Sequence, residues 1–234
     1  MQVVILAGGK GKRLAPFTTV FPKPLLPIDD VPILEVIIRQ LRNVGFTELT
    51  MAVGHLAGLL EAYFGDGSKW GVNIKYSLED EPLGTAGPLG LIQGLSDPFM
   101  VLNGDVLTSL DFADLVEYHK RHKAIATVAV CNKKIEISLG ALKVDEKSNI
   151  YDYIEKPTLE YQASMGIYVF EPRVLEYIEE RRYLDLPDLI RMLIEDNEIV
   201  KGYEFQGYWR DIGRREDYEK AVEEFVELKD ELLA

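Results

Sequence analysis

The chain has 234 residues, of which 26 are Lys or Arg and 39 are Asp or Glu, so its formal net charge is −13. This length suits one domain, and 47% hydrophobic with 28% charged residues exclude a disordered or fibrous chain. The acidic balance argues against nucleic acid or an anionic membrane as partner, because both attract basic surfaces. The single cysteine, Cys131, cannot form an intramolecular disulfide, which suits a reducing compartment.

The opening apolar run, residues 3–7, stops at two glycines and is not preceded by a basic region, so it does not fit a secretory signal. No later segment approaches the ~18 consecutive apolar residues that a membrane helix needs. We therefore expect a cytoplasmic protein with no membrane partner.

Strands and helices alternate in the first 120 residues. Residues 2–7 are typical of a strand buried on both faces, and a loop rich in Gly and Pro follows to about residue 27. A helix is predicted from about residue 32 to 44, followed by strands at 47–53, 72–77 and 99–102 and helices at 56–64 and 86–95. Such alternation with short links predicts an α/β fold with an open, mostly parallel, Rossmann-like sheet between two layers of helices.

Strands predominate beyond about residue 120. They are predicted at 124–130, 139–144, 150–154 and 165–170, as an antiparallel region or as additions to the main sheet. Two short helices, at 174–180 and 187–194, precede strands near 199–203 and 208–209. Residues 214–234 predict an amphipathic helix.

The loop after the first strand is basic, whereas the protein is acidic. It opens with Gly8 and Gly9, and it contains no acid and four basic residues: Lys10, Lys12, Arg13 and Lys23. The first 28 residues thus carry +4, while the other 206 hold 22 basic and 39 acidic side chains, or −17. Glycines let backbone N–H groups approach phosphate oxygens, so the loop suits a compact polyanion. A surface turn with solvated lysines is the alternative.

Two common phosphate-binding motifs do not fit this loop. A P-loop requires glycine five residues after Gly8, where Arg13 stands, and a dinucleotide fingerprint starting at Gly9 requires glycine where Leu14 stands. Four prolines between residues 16 and 27 also prevent a helix from following directly. Kinase-like and dehydrogenase functions are therefore disfavoured.

The loop closely resembles the signature of the sugar-1-phosphate nucleotidylyltransferases, with LAGGKGKRLAP at 6–16 and FPKPL at 21–25. Further family motifs follow in order: PLGTAG at 82–87, NGD at 103–105, EKP at 155–157, GIY at 166–168 and GYWRDIG at 207–213. The resemblance implies the nucleotide-diphospho-sugar transferase fold. It also implies one domain over 1–234, with a nucleotide-binding half (1–120), a sugar-phosphate-binding half (121–213) and a C-terminal helix (214–234).

The resemblance implies an enzyme that joins a nucleoside triphosphate to a sugar 1-phosphate and releases pyrophosphate. The sugar phosphate has a second pKa of ~6, so it attacks as a dianion and needs no general base. Positioning and charge neutralisation must then supply the catalysis, which suits Lys, Arg and Asp better than His.

Individual roles also follow from the resemblance. It implies that Arg13, Lys23 and Asp105 are catalytic and that Asp105 and Asp211 hold Mg²⁺ as the cofactor. Taken without the family, Asp105 fits a turn and Asp211 fits a helix N-cap. Four residues are implied to bind the sugar phosphate: Gly140, Glu155, Lys156 and Ser164. Twelve are implied to bind the nucleotide: Leu6, Ala7, Gly8, Gly9, Gly11, Lys12, Arg13, Lys23, Glu79, Gly84, Thr85 and Gly104.

Lys12 and Ser164 depart from common family patterns, and Ser164 and Glu79 bear on the choice of substrate. Lys12 stands where Thr is frequent in the family, and Ser164 where many relatives carry an Asn that faces the sugar. Glu79 stands where thymidylyl- and some uridylyltransferases carry Gln. A carboxylate can only accept hydrogen bonds, and guanine offers two adjacent donors. Glu79 therefore favours GTP, and the run EPLGTAG at 81–87 resembles the mannose-1-phosphate guanylyltransferases more than the glucose-1-phosphate thymidylyltransferases. The resemblance implies GTP with mannose 1-phosphate or a related hexose or heptose 1-phosphate. A uridylyl- or thymidylyltransferase, with a solvated Glu79, remains the alternative.

A non-catalytic subunit that senses nucleotide sugars is the alternative from another class. Such a subunit could lose Arg13, Lys23 or either aspartate, yet all four are present. A homodimer is kept open as the assembly.

Overall fold

The computed structural model of the protein describes residues 1–233, which form thirteen strands and five α-helices. The strands are β1 (Gln2–Leu6), β2 (Pro27–Ile28), β3 (Val31–Pro32), β4 (Glu48–Val53), β5 (Asn73–Leu78), β6 (Phe99–Asn103), β7 (Val106–Thr108), β8 (Ala126–Glu136), β9 (Ala141–Val144), β10 (Ile150–Ile154), β11 (Thr158–Phe170), β12 (Val200–Phe205) and β13 (Trp209–Asp211). The helices are α1 (Ile33–Asn43), α2 (Ala57–Phe64), α3 (Phe112–His122), α4 (Leu186–Glu195) and α5 (Arg215–Leu233).

Seven strands form the central sheet, in the order β12-β8-β11-β6-β1-β4-β5. The strands β6, β1, β4 and β5 are parallel to their neighbours within that group, and β12 is parallel to β8. Only β11 runs antiparallel, between β6 and β8. The predicted mostly parallel mixed sheet is therefore confirmed, and the second half of the chain supplies strands that extend it.

Alternate residues of β1 enter cores on opposite faces of the sheet. Val3 and Ile5 belong to a core that includes apolar residues of α1, α2 and α3, whereas Val4 belongs to a core that includes residues of α4. A strand side chain points to the face opposite its neighbour's, so a strand that is apolar throughout must be covered on both sides. Helices on both faces give the three layers that the sequence predicts.

Two of the predicted helices are wrong. Residues 86–95 contain only a 3₁₀ turn, Gly87–Leu91, and residues 174–180 contain only the end of another, Pro172–Tyr177. The first segment contains a proline and three glycines, and a Cβ at Gly87 would lie 2.6 Å from the carbonyl oxygen of Arg182. The backbone conformation of residues 86–95 therefore depends more on close packing against a distant loop than on the helical propensity of the segment.

Helix α3 is not among the predicted helices, although the sequence contains an N-cap residue at its start. The Asp111 side chain caps it by accepting hydrogen bonds from the backbone N–H groups of Ala113 and Asp114, at 2.9 and 3.1 Å. Aspartate at this position satisfies donors that the first turn leaves unpaired.

Strands β8 and β11 are longer than predicted, and they continue as a two-stranded ladder beyond the central sheet. The sequence predicts the first only to residue 130 and the second only from residue 165. Strands β9 and β10 form a separate two-stranded sheet within the same stretch. We call residues 131–164 the arm.

Helix α5 confirms the predicted amphipathic C-terminal helix. Ala221, Phe225 and Leu232 are buried in a third core that also includes Ile33 and Val36. None of the helices in residues 1–233 combines the length and the apolar character needed to cross a bilayer.

Candidate active site

A cleft of about 810 Å³ opens at the carboxyl ends of β1, β4 and β6. Leu6, Ala52 and Asn103, which are register partners in these parallel strands, all line it. Ligands of open α/β sheets bind at this edge, because loops rather than ladder bonds follow each strand there. The volume is in the range of pockets that hold drug-sized ligands.

Most of the residues predicted to bind a nucleotide lie together in this cleft. Eleven of the twelve line it: Leu6, Ala7, Gly8, Gly9, Gly11, Lys12, Arg13, Lys23, Glu79, Gly84 and Thr85. The twelfth, Gly104, lies directly behind them and donates its backbone N–H to the carbonyl oxygen of Leu6 at 2.9 Å. A Cβ at Gly104 would lie 3.1 Å from that same oxygen, so the glycine permits a close turn.

The glycine loop forms short 3₁₀ turns, and its shape depends on Gly11. This residue has a φ of +58°, and a Cβ there would lie 2.8 Å from the side chain of Thr18. Thr18 in turn donates its hydroxyl to the carbonyl oxygen of Gly11 at 2.8 Å. The loop is thus folded back on itself, with Lys12 and Arg13 in the turn that begins at Gly11.

Lys23 and Asp105 form an ion pair at the base of the cleft. Lys23 is only 9% exposed and lies in a 3₁₀ turn between Pro22 and Pro24, which restrains its backbone. Asp105 lies in the turn between β6 and β7. Burial of a lysine is expensive unless it is paired, so this ion pair fixes both side chains at the strand ends.

Asp211 reaches the same place from the other end of the sequence. Strand β13 pairs antiparallel with β7, which sets Asp211 opposite Val106, and the backbone N–H of Ile212 donates to the carbonyl oxygen of Asp105 at 3.1 Å. Helix α5 begins four residues after Asp211, so the N-cap interpretation of this residue is wrong. The two aspartates predicted to hold metal therefore lie beside each other.

The electrostatics of Asp211 depend on the other charged groups of the site. Burial first, and then the charge of Asp105, raise the pKa of Asp211, whereas Lys23 and Arg13 lower it by a smaller amount. Gly213 allows this arrangement, since a Cβ there would lie 3.0 Å from Asp211 Oδ2 and 3.4 Å from the Arg13 guanidinium. At Asp211, burial and the neighbouring carboxylate thus outweigh the two nearby cations.

The carboxylates fit a divalent cation. Asp105 Oδ1 is buried without a hydrogen-bond partner among residues 1–233, an arrangement that is costly unless a cation occupies the position. The described part of the chain contains no group of three or more His, Cys, Asp or Glu side chains placed to hold a metal. Mg²⁺ is commonly bound by one or two carboxylates, with phosphate oxygens and water as its other ligands.

Glu79 is held over the glycine loop. Its Oε2 accepts a hydrogen bond from the backbone N–H of Leu83 at 3.1 Å. A Cβ at Gly8 or Gly54 would lie 2.5 or 2.8 Å from its Oε1, so the carboxylate can lie there only because both positions are glycine. The Glu79 carboxylate is therefore oriented within the cleft by the backbone around it, while the side chain remains half-exposed.

Tyr183 and Asp185 are among the cleft residues that the sequence reasoning missed. Asp185 Oδ1 accepts from the backbone N–H and the hydroxyl of Thr85 at 3.0 and 3.2 Å, and its Oδ2 accepts from the Tyr183 hydroxyl at 2.7 Å. A Cβ at Gly84, where φ is +80°, would lie 2.5 Å from the Leu184 carbonyl oxygen. A hundred residues separate these partners, and no local signal in the sequence relates them.

The residues predicted to bind a sugar phosphate are not part of the cleft lining. Gly140 and Glu155 are near each other, because a Cβ at Gly140 would lie 3.2 Å from Glu155 Oε2. Lys156 is exposed with a φ of +46°. Ser164 is within 2.9 Å of the Tyr168 hydroxyl, at an irregularity of β11. The structure thus brings two of the four together.

Cations and carboxylates at this edge of the sheet define a protein that handles phosphate groups. The chain belongs to the nucleotidyl transferase family, which it matches over residues 2–227. The family resemblance seen in the sequence motifs is therefore confirmed.

Two relatives illustrate the range of the family. The chain is 37% identical over 242 residues to a UTP–glucose-1-phosphate uridylyltransferase of Synechocystis, covering 95% of this chain and 62% of that protein. It is 33% identical over 234 residues to a mannose-1-phosphate guanylyltransferase of Mycobacterium tuberculosis, and this match covers 97% of this chain and 65% of that protein. The chain therefore spans less than two thirds of the length of these curated relatives.

A solved structure from Bacillus anthracis, provisionally assigned as a glucose-1-phosphate thymidylyltransferase, has a similar fold. Its TM-score is 0.77 at 27% identity, and the match covers 95% of this chain and 94% of that one. The similarity thus extends over almost all of both chains.

Proposed function

We propose that this chain transfers a nucleotidyl group from a nucleoside triphosphate to a sugar 1-phosphate. The observation that carries the proposal is that Arg13, Lys23 and Asp105 line one large cleft at the strand ends, with the half-buried Asp211 beside them. An oxygen of the sugar phosphate bonds to the α-phosphorus, and the bond from that phosphorus to the leaving pyrophosphate breaks. The dianion attacks without losing a proton, so no general base is required.

The residues of the loop supply positive charge and backbone donors. Arg13 presents a planar fork of N–H groups that suits phosphate oxygens, and Lys23 is a fixed cation at the base of the cleft. Backbone N–H groups near Gly8, Gly9 and Gly11 complete the cradle. These groups act mainly on charge that develops during transfer, so their removal affects kcat.

Asp105 and Asp211 would hold the magnesium ion. When bound, Mg²⁺ neutralises phosphate charge and orients the phosphate oxygens. The unpartnered Oδ1 of Asp105 and the raised pKa of Asp211 support this assignment, because both are relieved by a nearby cation.

The sugar phosphate is proposed to lie against the arm side of the cleft. Lys156 would bind its phosphate, while Glu155 and the backbone of Gly140 would contact the sugar hydroxyls. Ser164 would lie beside the sugar, where its short hydroxyl leaves more room than an asparagine. The proximity of Gly140 and Glu155 supports their common role.

We favour GTP as the nucleotide, with mannose 1-phosphate or a related hexose or heptose 1-phosphate as acceptor. The fixed Glu79 carboxylate is the supporting observation, because its Oε1 can accept from a guanine N–H while its Oε2 stays bonded to Leu83. The relatives include both guanylyl- and uridylyltransferases, and UTP or dTTP with another sugar is the alternative.

Pyrophosphate release over a panel of nucleoside triphosphates crossed with sugar 1-phosphates tests the proposal. We expect turnover, highest with GTP, and a loss of the GTP preference by about tenfold or more in Glu79→Gln, since a charged hydrogen bond contributes about 1.5–3 kcal/mol. Glu81→Gln changes a neighbouring acid of the cleft and should keep the preference. Equal rates with UTP or dTTP would contradict the guanine assignment, and no turnover with any pair would favour the sensing subunit.

Removing the Asp185 carboxylate should weaken nucleotide binding without removing a group that contacts phosphate. In Asp185→Ala the turn at Gly84 and Thr85 loses two hydrogen bonds, so we expect KM for the nucleotide to rise about tenfold with a smaller change in kcat. Tyr183→Phe leaves those two bonds intact and should change KM much less. A fall in kcat alone would assign Asp185 a different role.

A further inference from the structure

One tyrosine of the arm contacts two of the residues proposed to bind the sugar. The Tyr153 hydroxyl donates a hydrogen bond to Glu155 Oε2 at 2.9 Å. The same hydroxyl lies against Gly140, because a Cβ on that glycine would come within 2.4 Å of the tyrosine oxygen. Tyr153 belongs to none of the family motifs and does not line the large cleft, so neither the sequence nor the cleft identifies it.

The small sheet of β9 and β10 places these three groups together. Its register pairs Ala141 with Ile154, so Gly140 and Glu155 are opposite each other one position beyond the last pair. Side chains two positions apart on an extended strand point to the same side, which brings Tyr153 beside Glu155. Since glycine has no side chain, a gap is left next to the carboxylate, and the Tyr153 hydroxyl occupies it.

Contact with the phenol, rather than backbone conformation, requires glycine at position 140. Gly140 is not one of the glycines with positive φ, so its backbone would accept an L side chain. The obstacle is Tyr153, whose hydroxyl oxygen and the ring carbon that bears it would lie 2.4 and 2.7 Å from a Cβ. The tyrosine is thus fitted to the glycine as well as hydrogen-bonded to the carboxylate.

Stability explains little of this arrangement. Tyr153 is 60% exposed and Glu155 is exposed as well, so each group would bond to water in the absence of the other. A hydrogen bond that only replaces bonds to water contributes little to the free energy of unfolding. The same exposure makes both oxygens accessible to a ligand, which favours a role in binding.

We propose that Tyr153 and Glu155 together select the sugar, by accepting hydrogen bonds from two hydroxyls on adjacent ring carbons of the sugar 1-phosphate. The phenol oxygen keeps lone pairs while it donates to Glu155 Oε2, and Glu155 Oε1 takes no part in that bond. The bond fixes the two acceptors side by side, as the sugar ring fixes the two donors of a vicinal diol. This inference rests on the proposed transfer reaction, and it makes Tyr153 a specificity residue rather than a catalytic one.

Charge assigns the hydroxyl groups of the sugar, rather than its phosphate, to this pair. A carboxylate repels phosphate oxygens, whereas it accepts strong hydrogen bonds from O–H groups. The cation proposed for the phosphate is at the next position, because Lys156 follows Glu155 directly. The substrate is therefore oriented with its phosphate toward Lys156 and its adjacent hydroxyls toward Glu155 and Tyr153.

Removing the Tyr153 hydroxyl tests the inference, with turnover measured as pyrophosphate release. In Tyr153→Phe we expect KM to rise about tenfold for mannose 1-phosphate, or for whichever sugar 1-phosphate gives the highest turnover, because one hydrogen bond and the placement of Glu155 are lost. Both kcat and KM for the nucleoside triphosphate should stay within about twofold, since the hydroxyl contacts neither the reacting phosphates nor the base. The unfolding midpoint should stay within about 2 °C.

Monodeoxy analogues of the same sugar 1-phosphate identify the hydroxyls that are recognised. With the wild type, two analogues that lack neighbouring hydroxyls should each raise KM about tenfold. With Tyr153→Phe, one of these two should have the KM of the complete sugar to within about twofold, because the missing hydroxyl has already lost its acceptor. A tyrosine that only braced the strand would raise KM for every analogue by the same factor.

Tyr151→Phe is a matched control on the same strand. Tyr151 lies two positions earlier and is 68% exposed, so its replacement removes a similar exposed hydroxyl from the arm and should leave every parameter unchanged. A wild-type KM in Tyr153→Phe, an equal rise in KM for both substrates, or the same factor for every analogue would overturn the inference and leave the transfer function intact. Absence of turnover by the wild type with every substrate pair would contradict the proposed function, and this inference with it.

Discussion

Replacing Asp105 by asparagine should lower kcat about 10³-fold in the proposed transfer reaction while the protein stays folded. The substitution keeps the shape of the side chain but removes the negative charge that pairs with Lys23. It also replaces the carboxylate that carries the unpartnered Oδ1 by a neutral amide, which binds Mg²⁺ poorly. Loss of one preorganised charge at a reacting phosphate is expected to cost about 10²–10³ in rate, and loss of metal adds to it.

Asp80→Asn is a suitable control for Asp105→Asn. Asp80 is exposed at the rim of the same cleft and has no contact with Lys23 in the described chain. Its replacement changes the net charge of the protein by the same amount and should leave kcat within about twofold. Turnover is measured as pyrophosphate release over a range of Mg²⁺ concentrations. Near-normal turnover of Asp105→Asn at limiting Mg²⁺ would show that Asp105 does not hold the metal.

The sequence alone was sufficient for the framework of this site. The apolar run of β1, the glycines that end it and the cations of the loop identify the phosphate-binding edge of the sheet. The nearness of Asp105 and Asp211 is different, because 106 positions separate them in the chain and no periodicity relates them. Family motifs implied that they meet, and the pairing of β13 with β7 is the physical reason that they do.

Other features depend on contacts that local sequence does not encode. The segment at 86–95 reads as a helix by its apolar spacing, but its glycines pack against the 182–185 loop and it turns instead. The Asp185–Thr85 contact depends on that same packing. The β8–β11 ladder extends beyond the predicted bounds at 130 and 165, and its outer part includes the cross-strand ion pair Lys134–Glu160, which depends on the pairing of distant segments.

Replacing Asp211 by asparagine should have opposite effects on activity and on stability. The pKa of the Asp211 carboxyl is raised by burial and by Asp105, so its ionised form destabilises the fold at every pH above the pKa of the unfolded chain. A neutral amide removes that cost and the repulsion with Asp105. Without metal we expect the unfolding midpoint to rise by about 2–4 °C, the shift that about 1 kcal/mol produces in a chain of this size. Turnover should fall as strongly as in Asp105→Asn, because one of the two proposed metal ligands is lost.

The two effects can be separated by thermal unfolding in EDTA and in Mg²⁺ with a nucleoside triphosphate. In EDTA the unfolding midpoint of Asp211→Asn should exceed that of the wild type by less as the pH is lowered. The wild-type carboxyl then takes up a proton in the folded state, and the destabilisation by its negative charge disappears. With Mg²⁺ and nucleotide the wild type should have the higher unfolding midpoint, since only the wild type is stabilised by a ligand that requires both carboxylates. Asp97→Asn removes an exposed charge from the same −13 protein and controls for general repulsion, so it should change the midpoint little in either condition. A higher unfolding midpoint for the wild type than for Asp211→Asn in EDTA would contradict this prediction. It would show that interactions within the protein stabilise the Asp211 carboxylate without a metal, whereas a carboxylate that serves to bind a cation destabilises the fold when the cation is absent.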